Sequence, residues 1–279
     1  MLGAIIGDII GSRFEWHNHK YKEFELFTED CRMTDDSIMT LAVAKALMET
    51  EKAMQSVADG LERSDVYYEL LEKLSIQYMQ AFGRRYPDCG FSRAFFQWII
   101  SDNPQPYNSF GNGAAMRISP VAYIGRTVSE IQRLSETVTG VSHNHEEGLK
   151  GAEATAIAIY MARSDSSKDE IRKMIGENYY QLDFTLDEIR ESYRFTTDCQ
   201  ATVPQAITAF REATSFEDAI RNAVSLGGDS DTLAAIAGAI AEAHYGIPEQ
   251  IKERALSYFD AELLSVYEEW VRFIKDKNQ

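Results

Sequence analysis

Residues 226–240 read LGGDSDTLAAIAGAI, and residues 32–47 read RMTDDSIMTLAVAKAL. Both are alanine-rich helical sequences, and each opens on a knot of aspartates and hydroxyls. Ser, Thr and Asp are good N-caps, and acids in a first turn suit the positive end of the helix dipole. Capping accounts for one or two of these residues per helix and leaves the rest unexplained. Successive helical residues turn about 100°, so Asp229 and Asp231 in a regular helix point roughly 200° apart. Converging them requires a non-helical approach, which Gly227 and Gly228 permit just upstream. Thr34, Asp35 and Asp36 form a similar knot in front of Ser37. If the two knots face each other, four carboxylates and two threonine hydroxyls crowd one place, which like-charge repulsion forbids without a cation. The spacing predicts a divalent-metal site between two helix heads.

Helical periodicity dominates elsewhere too. Apolar residues recur at i, i+3 and i+4 over 37–49, 65–82, 92–101, 128–139, 147–163, 168–180, 203–213, 216–225, 231–244, 248–258 and 260–275. Residues 2–13 carry Gly3, Gly7 and Gly11 at four-residue spacing, a smooth stripe that lets another helix approach closely. Ser215, Ser129, and the Gly246 stop followed by Pro248 supply ordinary helix punctuation. Alternating strand patterns are nearly absent, so the fold expected is an all-α bundle. The main irregular stretch, SDNPQPYNSFGNGAAMRISP at 101–120, is rich in Pro, Asn and Gly and leads into a helix, where sites are often built. No linker, low-complexity stretch or fixed-period repeat divides the 279 residues, which predicts a single domain over 1–279.

The chain carries 44 acidic and 28 basic side chains, a formal charge of −16. Such a surface repels phosphate backbones and anionic lipid, so neither nucleic acid nor a membrane surface is an expected partner. A small phosphorylated ligand remains compatible, because a few backbone amides at a helix start can hold a phosphate. Cys31, Cys89 and Cys199 are an odd, widely spaced set, the usage of a reducing cytoplasm. The N-terminal MLGAIIGDIIGSRFEW is interrupted by Asp8 and lacks a basic lead, making a poor signal peptide. No apolar run reaches the roughly 18 to 20 residues that span a bilayer, so a soluble protein is expected.

Asp8 and Glu15, seven apart, lie about 10 Å apart along a continued helix, too far to bind one ion together. Asp8 fits either a buried acid satisfied by neighbouring donors or a support for the metal ligands, and Glu15 either a surface acid or a group reaching a substrate. In FGNGAAMR, residues 110–117, glycines flanking Asn112 expose amides to an anion, and a plain turn fits the same residues. The pairs His143/His145 and His17/His19 each lack a third ligand at helical spacing. The Thr/Asp knots favour hard cations such as Mg²⁺ or Mn²⁺ over zinc. Trp98, Trp270 and Met39 sit at core spacing.

Six stretches in order, GAIIGDIIGSRFE, MTDDSIMTLAVAKAL, SFGNGAAMRISPVA, SHNHEEG, ATVPQAITAF and AIRNAVSLGGDSDTLAAIAGAIAEAHYGIP, together resemble the ADP-ribosylglycohydrolases. This family includes dinitrogenase reductase-activating glycohydrolase and the ADP-ribosylarginine and ADP-ribosylserine hydrolases. The resemblance runs from Leu2 to about Pro248. It implies an all-α orthogonal helical bundle with a cleft holding two Mg²⁺ or Mn²⁺ ions. By motif, Thr34, Asp35 and Asp36 match the first ligand set, and Asp229, Asp231 and Thr232 the second. Glu15 matches the acid that lies beside the metals and affects catalysis. Asn112, Gly113 and Met116 match the loop contacting ADP-ribose, and His143 is similar to the histidine lining its pocket. Two departures stand out. The connection from Glu15 to Thr34 is short, as in compact bacterial members, and Ser37 replaces a common threonine while keeping its hydroxyl.

The function implied is hydrolysis of the bond between the distal ribose of ADP-ribose and an acceptor such as arginine, on a protein or a small ADP-ribosyl substrate. Asp36 or Glu15 serves as base. The rival is a catalytically silent ADP-ribose-binding or crystallin-like structural protein, against which both intact acid knots argue. A phosphohydrolase of the HD type needs an adjacent His-Asp pair, which is missing. A terpene synthase needs an acid where Met39 stands.

Overall fold

The computed structural model describes residues 1–54 and 63–277. In order the helices are α1 (Leu2–Gly11), α2 (Asp35–Met54), α3 (Asp65–Arg85), α4 (Arg93–Ile100), α5 (Gly113–Met116), α6 (Val121–Ile124), α7 (Val128–Gly140) and α8 (Glu146–Arg163). There follow α9 (Lys168–Asn178), α10 (Leu186–Arg190), a 3₁₀ turn at Cys199–Ala201, α11 (Val203–Glu212), α12 (Phe216–Val224), α13 (Ser230–Tyr245), α14 (Glu249–Leu256) and α15 (Ala261–Lys277). Among the described residues no strand forms, and one isolated bridge joins Gly111 to Asp198. The fold is all-α, as the periodicity predicts.

The core is built around α1 and α13. Every residue of α1 is buried, with Ile5, Ile6, Ile9 and Ile10 wholly enclosed, and α13 is buried from Ser230 to Ala241. A helix apolar on all sides belongs in the middle of a large core. The two cross at backbone contact through the glycine stripe. A Cβ at Gly7 would stand 2.0 Å from the Ala234 carbonyl oxygen, and one at Gly3 2.2 Å from that of Gly238. At the third stripe position, Gly11 lies against the head of α13, and Ser230 Oγ donates to its carbonyl at 3.1 Å. The stripe therefore sets the register that brings the end of α1 to the acid knot of α13. Trp98, Trp270 and Met39 are buried as expected, and one continuous apolar cluster includes all three.

The predicted segments recur with shifts of a few residues at their ends. The cap before α7 is Thr127, whose side chain accepts from the Glu130 N–H, rather than Ser129; before α12 it is Ser215, as expected. The α5, α6 and α10 helices have four or five residues, too few to display a period. Among the described residues no helix is long and apolar enough to cross a membrane.

Candidate metal centre and ligand loop

The head of α13 is shaped by backbone. Gly227 and Gly228 adopt φ of +65° and +71°, and Asp229 follows at φ −75°, ψ 73°, outside the helical region. Such left-handed residues turn the chain sharply at little cost only when they are glycine. As a result Asp229 and Asp231 converge. Each offers a carboxylate oxygen within 4.8 Å of the other and of one from Glu15, in the turn after α1. Although Asp229 is the N-cap residue, its side chain caps nothing. Its Oδ2 instead accepts from Asn112 Nδ2 at 2.6 Å, and the same amide donates to Thr202 Oγ1 at 3.2 Å.

The head of α2 is shaped by one buried acid. Asp8 accepts the Thr34 N–H at 2.9 Å, the Thr34 hydroxyl at 2.7 Å, the Ser37 N–H at 3.1 Å and the Ser37 hydroxyl. Asp8 is thus a buried acid satisfied by neighbouring donors, and those donors belong to the acid knot at the head of α2. The hydroxyl kept at Ser37 is one of these four.

The two heads meet. Thr232 Oγ1 donates to Asp36 Oδ2 at 3.3 Å. The other oxygen, Asp36 Oδ1, is buried and has no hydrogen-bond partner. A buried carboxylate oxygen without a donor is costly, and a cation is the partner that relieves it. Burial, reinforced by Asp231, pushes Asp35 and Asp36 well above the usual carboxylate range. Burial with Asp229 beside it does the same to Asp231. Burial raises Asp8 and Asp229 to about 6, against the hydrogen bonds they accept. Glu15, half-buried, is raised to about 7 by desolvation and by Asp231. The cluster thus cannot hold its full negative charge unaided, and its all-oxygen donors suit a hard divalent ion. Among the described residues, the one group of His, Cys, Asp or Glu with ligand spacing is Glu15, Asp229 and Asp231.

The pair His143/His145 is split. His145 Nδ1 accepts from the Glu147 N–H at the head of α8, whereas His143 Nδ1 faces Ser142 and Arg117. The ring of His19 packs on Phe14 and Phe24.

The loop 109–116 lies against the α13 head through Asn112. Its backbone is pinned by the Asn112 N–H to the Thr197 carbonyl at 2.7 Å, and its turn faces His143: a Cβ on Gly113 would stand 3.2 Å from His143 Nε2. Met116 is buried, and its methyl group lies 3.9 Å from that same Cβ position. Phe110 is exposed on this loop, and elsewhere the exposed Trp16 stacks its ring on Phe195 at 5.2 Å. Sequence reasoning does not reach the bond between Asn112 and Asp229, since 117 residues separate them. Nor did it single out Arg117 or Asn18, whose Oδ1 accepts the Gly228 N–H at 3.2 Å.

The fold is all-α, and a carboxylate cluster lies where two helix heads meet, beside a Gly-Asn-Gly loop. The sequence profile of the ADP-ribosylglycohydrolase family matches residues 1–274, and the chain belongs to that family. It is similar to the ADP-ribosylhydrolase ARH3 of Xenopus tropicalis, 25% identical over 94% of this chain and 91% of that one. The human ARH3 is 23% identical, over 95% and 90%. The ADP-ribosylarginine hydrolase Tri1 of Pseudomonas putida (strain GB-1) is 30% identical over 60% of this chain and 47% of its own length. A solved structure titled "ADP-ribosylglycohydrolase-related protein complex" superposes with a TM-score of 0.67 at 21% identity, covering 98% of this chain and 95% of its own, and shares the fold.

Proposed function

We propose that residues 1–279 act as one domain that hydrolyses the glycosidic bond between ADP-ribose and an acceptor, an arginine side chain first among them, releasing ADP-ribose. The observation that carries this is the unpartnered, buried Asp36 Oδ1 at the junction of the two acid knots. Thr34, Asp35, Asp36, Asp229, Asp231 and Thr232 would hold two Mg²⁺ or Mn²⁺ ions. Bound there, the ions offset the carboxylates and supply Lewis acidity toward the distal ribose and its attacking water.

The chain's own groups do the rest. Glu15 is half-buried, while Asp36 is enclosed and bonded to Thr232 on one oxygen, so Glu15 is the better placed base for a water arriving from the cleft. The water attacks C1 of the distal ribose, the bond to the acceptor nitrogen breaks, and its electron pair leaves with the acceptor. Asn112 keeps Asp229 in place, and the Gly111–Gly113 turn and His143 face the bound ADP-ribose. Phe110 offers a stacking face on the same loop.

The similarity to Tri1, named for ADP-ribosylarginine, and to ARH3 supports an ADP-ribosyl substrate. Arginine-linked and serine-linked ADP-ribosyl peptides, assayed for released ADP-ribose with Mg²⁺, Mn²⁺ or EDTA, test the reading. Metal-dependent release from the arginine-linked peptide, lost in Asp36→Ala, is expected. ADP-ribose binding without release from either peptide would favour the silent binding protein.

A further inference from the structure

Arg117, just after α5, is the bulkiest fully buried side chain, and among the described residues no carboxylate pairs with it. Its Nη2 donates to Ser142 Oγ at 2.7 Å and approaches His143 Nδ1 at 3.3 Å, while Nε and Nη1 have no partner. The guanidinium lies over the Phe95 ring, 5.1 Å from its centroid. A buried cation without a paired carboxylate is costly, so its presence points to a task at that spot.

The task follows from donor logic. Arginine nitrogens only donate. Ser142 Oγ therefore accepts from Arg117, and its own proton is free to point at His143 Nδ1, 2.9 Å away. With donors on that side, Nδ1 is an acceptor and the ring proton sits on Nε2. A carboxylate or carbonyl beside Nδ1, the common arrangement, would leave Nε2 as an acceptor instead. The rings of Phe95 and Tyr107 flank the imidazole edge-on at 5.9 and 5.5 Å and hold its plane. Its Nε2 looks onto the glycine turn, 3.2 Å from the Cβ position of Gly113 and 3.7 Å from that of Gly111.

We propose that Arg117 is a positioning residue: through Ser142 and Nδ1 it fixes His143 as an Nε2–H donor aimed at an oxygen of the ADP-ribosyl ligand beside Gly111 and Gly113. This rests on the ligand role given above to that loop and to His143. Burial and the Arg117 charge also push His143 well below the usual histidine range, so the donor is a neutral ring.

Long-range ¹H–¹⁵N correlation of the imidazoles, with His143 assigned by loss in His143→Ala, reads the tautomer directly. The wild type is expected as Nε2–H. Arg117→Met is expected to mix the tautomers and weaken ADP-ribose binding by roughly tenfold, and Arg117→Lys, another donor-only cation, to restore most of both. Circular dichroism reports folding, and if Arg117→Met does not fold, the wild-type tautomer and Arg117→Lys decide. A wild-type Nδ1–H tautomer overturns the proposal, as does a mixed tautomer in Arg117→Met with unchanged affinity. Unchanged affinity in His143→Ala overturns it differently, by failing the ligand reading while the tautomer stands, which separates the two failures.

Discussion

The heads of α2 and α13 present similar acid knots but are held by opposite means. On α2 the knot is tied by side-chain chemistry, four hydrogen bonds converging on Asp8. On α13 it is bent by backbone, two left-handed glycines in succession, and tethered from outside by Asn112. A site built this way has one rigid wall and one whose shape depends on a distant loop. The same substitution strategy should therefore cost stability on one side and geometry on the other.

The largest loss of stability is expected for Asp8→Ala. It strips the partners from two buried N–H groups and two hydroxyls, and should cost roughly 3–5 kcal/mol in urea unfolding. Gly227→Ala comes next. It adds left-handed strain and places a methyl 2.1 Å from Asn18 Oδ1, a flexible side chain that can move aside, so roughly 2 kcal/mol is expected, with weakened metal binding. Asn112→Ala should cost roughly 1–2 kcal/mol in stability, less than Asp8→Ala, yet lower turnover at least tenfold, because Asp229 loses its anchor. If Asn112→Ala proved as destabilising as Asp8→Ala, the contrast between the heads would collapse.

The smallest effect concerns pH. Burial raises Asp8 and Asp229 from 3.8 to about 6, and Glu15 from 4.5 to about 7. Across that window the metal-free folded protein holds protons that the unfolded chain has lost. The contribution of these groups to stability is therefore greatest at low pH and declines as pH rises from roughly 4 to 7. Divalent ions bind the deprotonated set, so the rise in Tm on adding Mg²⁺ should be larger at pH 7.5 than at pH 5.5. An equal rise at both would contradict the assignment of these carboxylates to the cation.

Most of the helices were legible because their apolar periods are long, and the glycine stripe marked α1 for close approach by another helix without indicating that α13 is the partner. Each acid knot was legible because its residues are adjacent in sequence and too numerous for capping. What escaped were polar bonds between distant segments. Asn112 to Asp229 and Arg117 to His143 leave no periodic trace, since a single long-range hydrogen bond constrains one residue at each end. The Asp8 clamp was half legible: its burial followed from the apolar residues around it, but its partners 26 and 29 residues on did not. The short helices α6 and α10 failed for a different reason, having too few residues for one face to repeat.

The heads of α2 and α13 are proposed to share one cation site. Titration of Mn²⁺ into metal-free protein, followed by electron paramagnetic resonance, tests it most directly. Two coupled ions are expected in the wild type, with the coupled signal lost in both Asp36→Ala and Asp229→Ala, although the two residues belong to different helix heads. Mn²⁺ binding that survives in both variants, or no binding by the wild type, would contradict it.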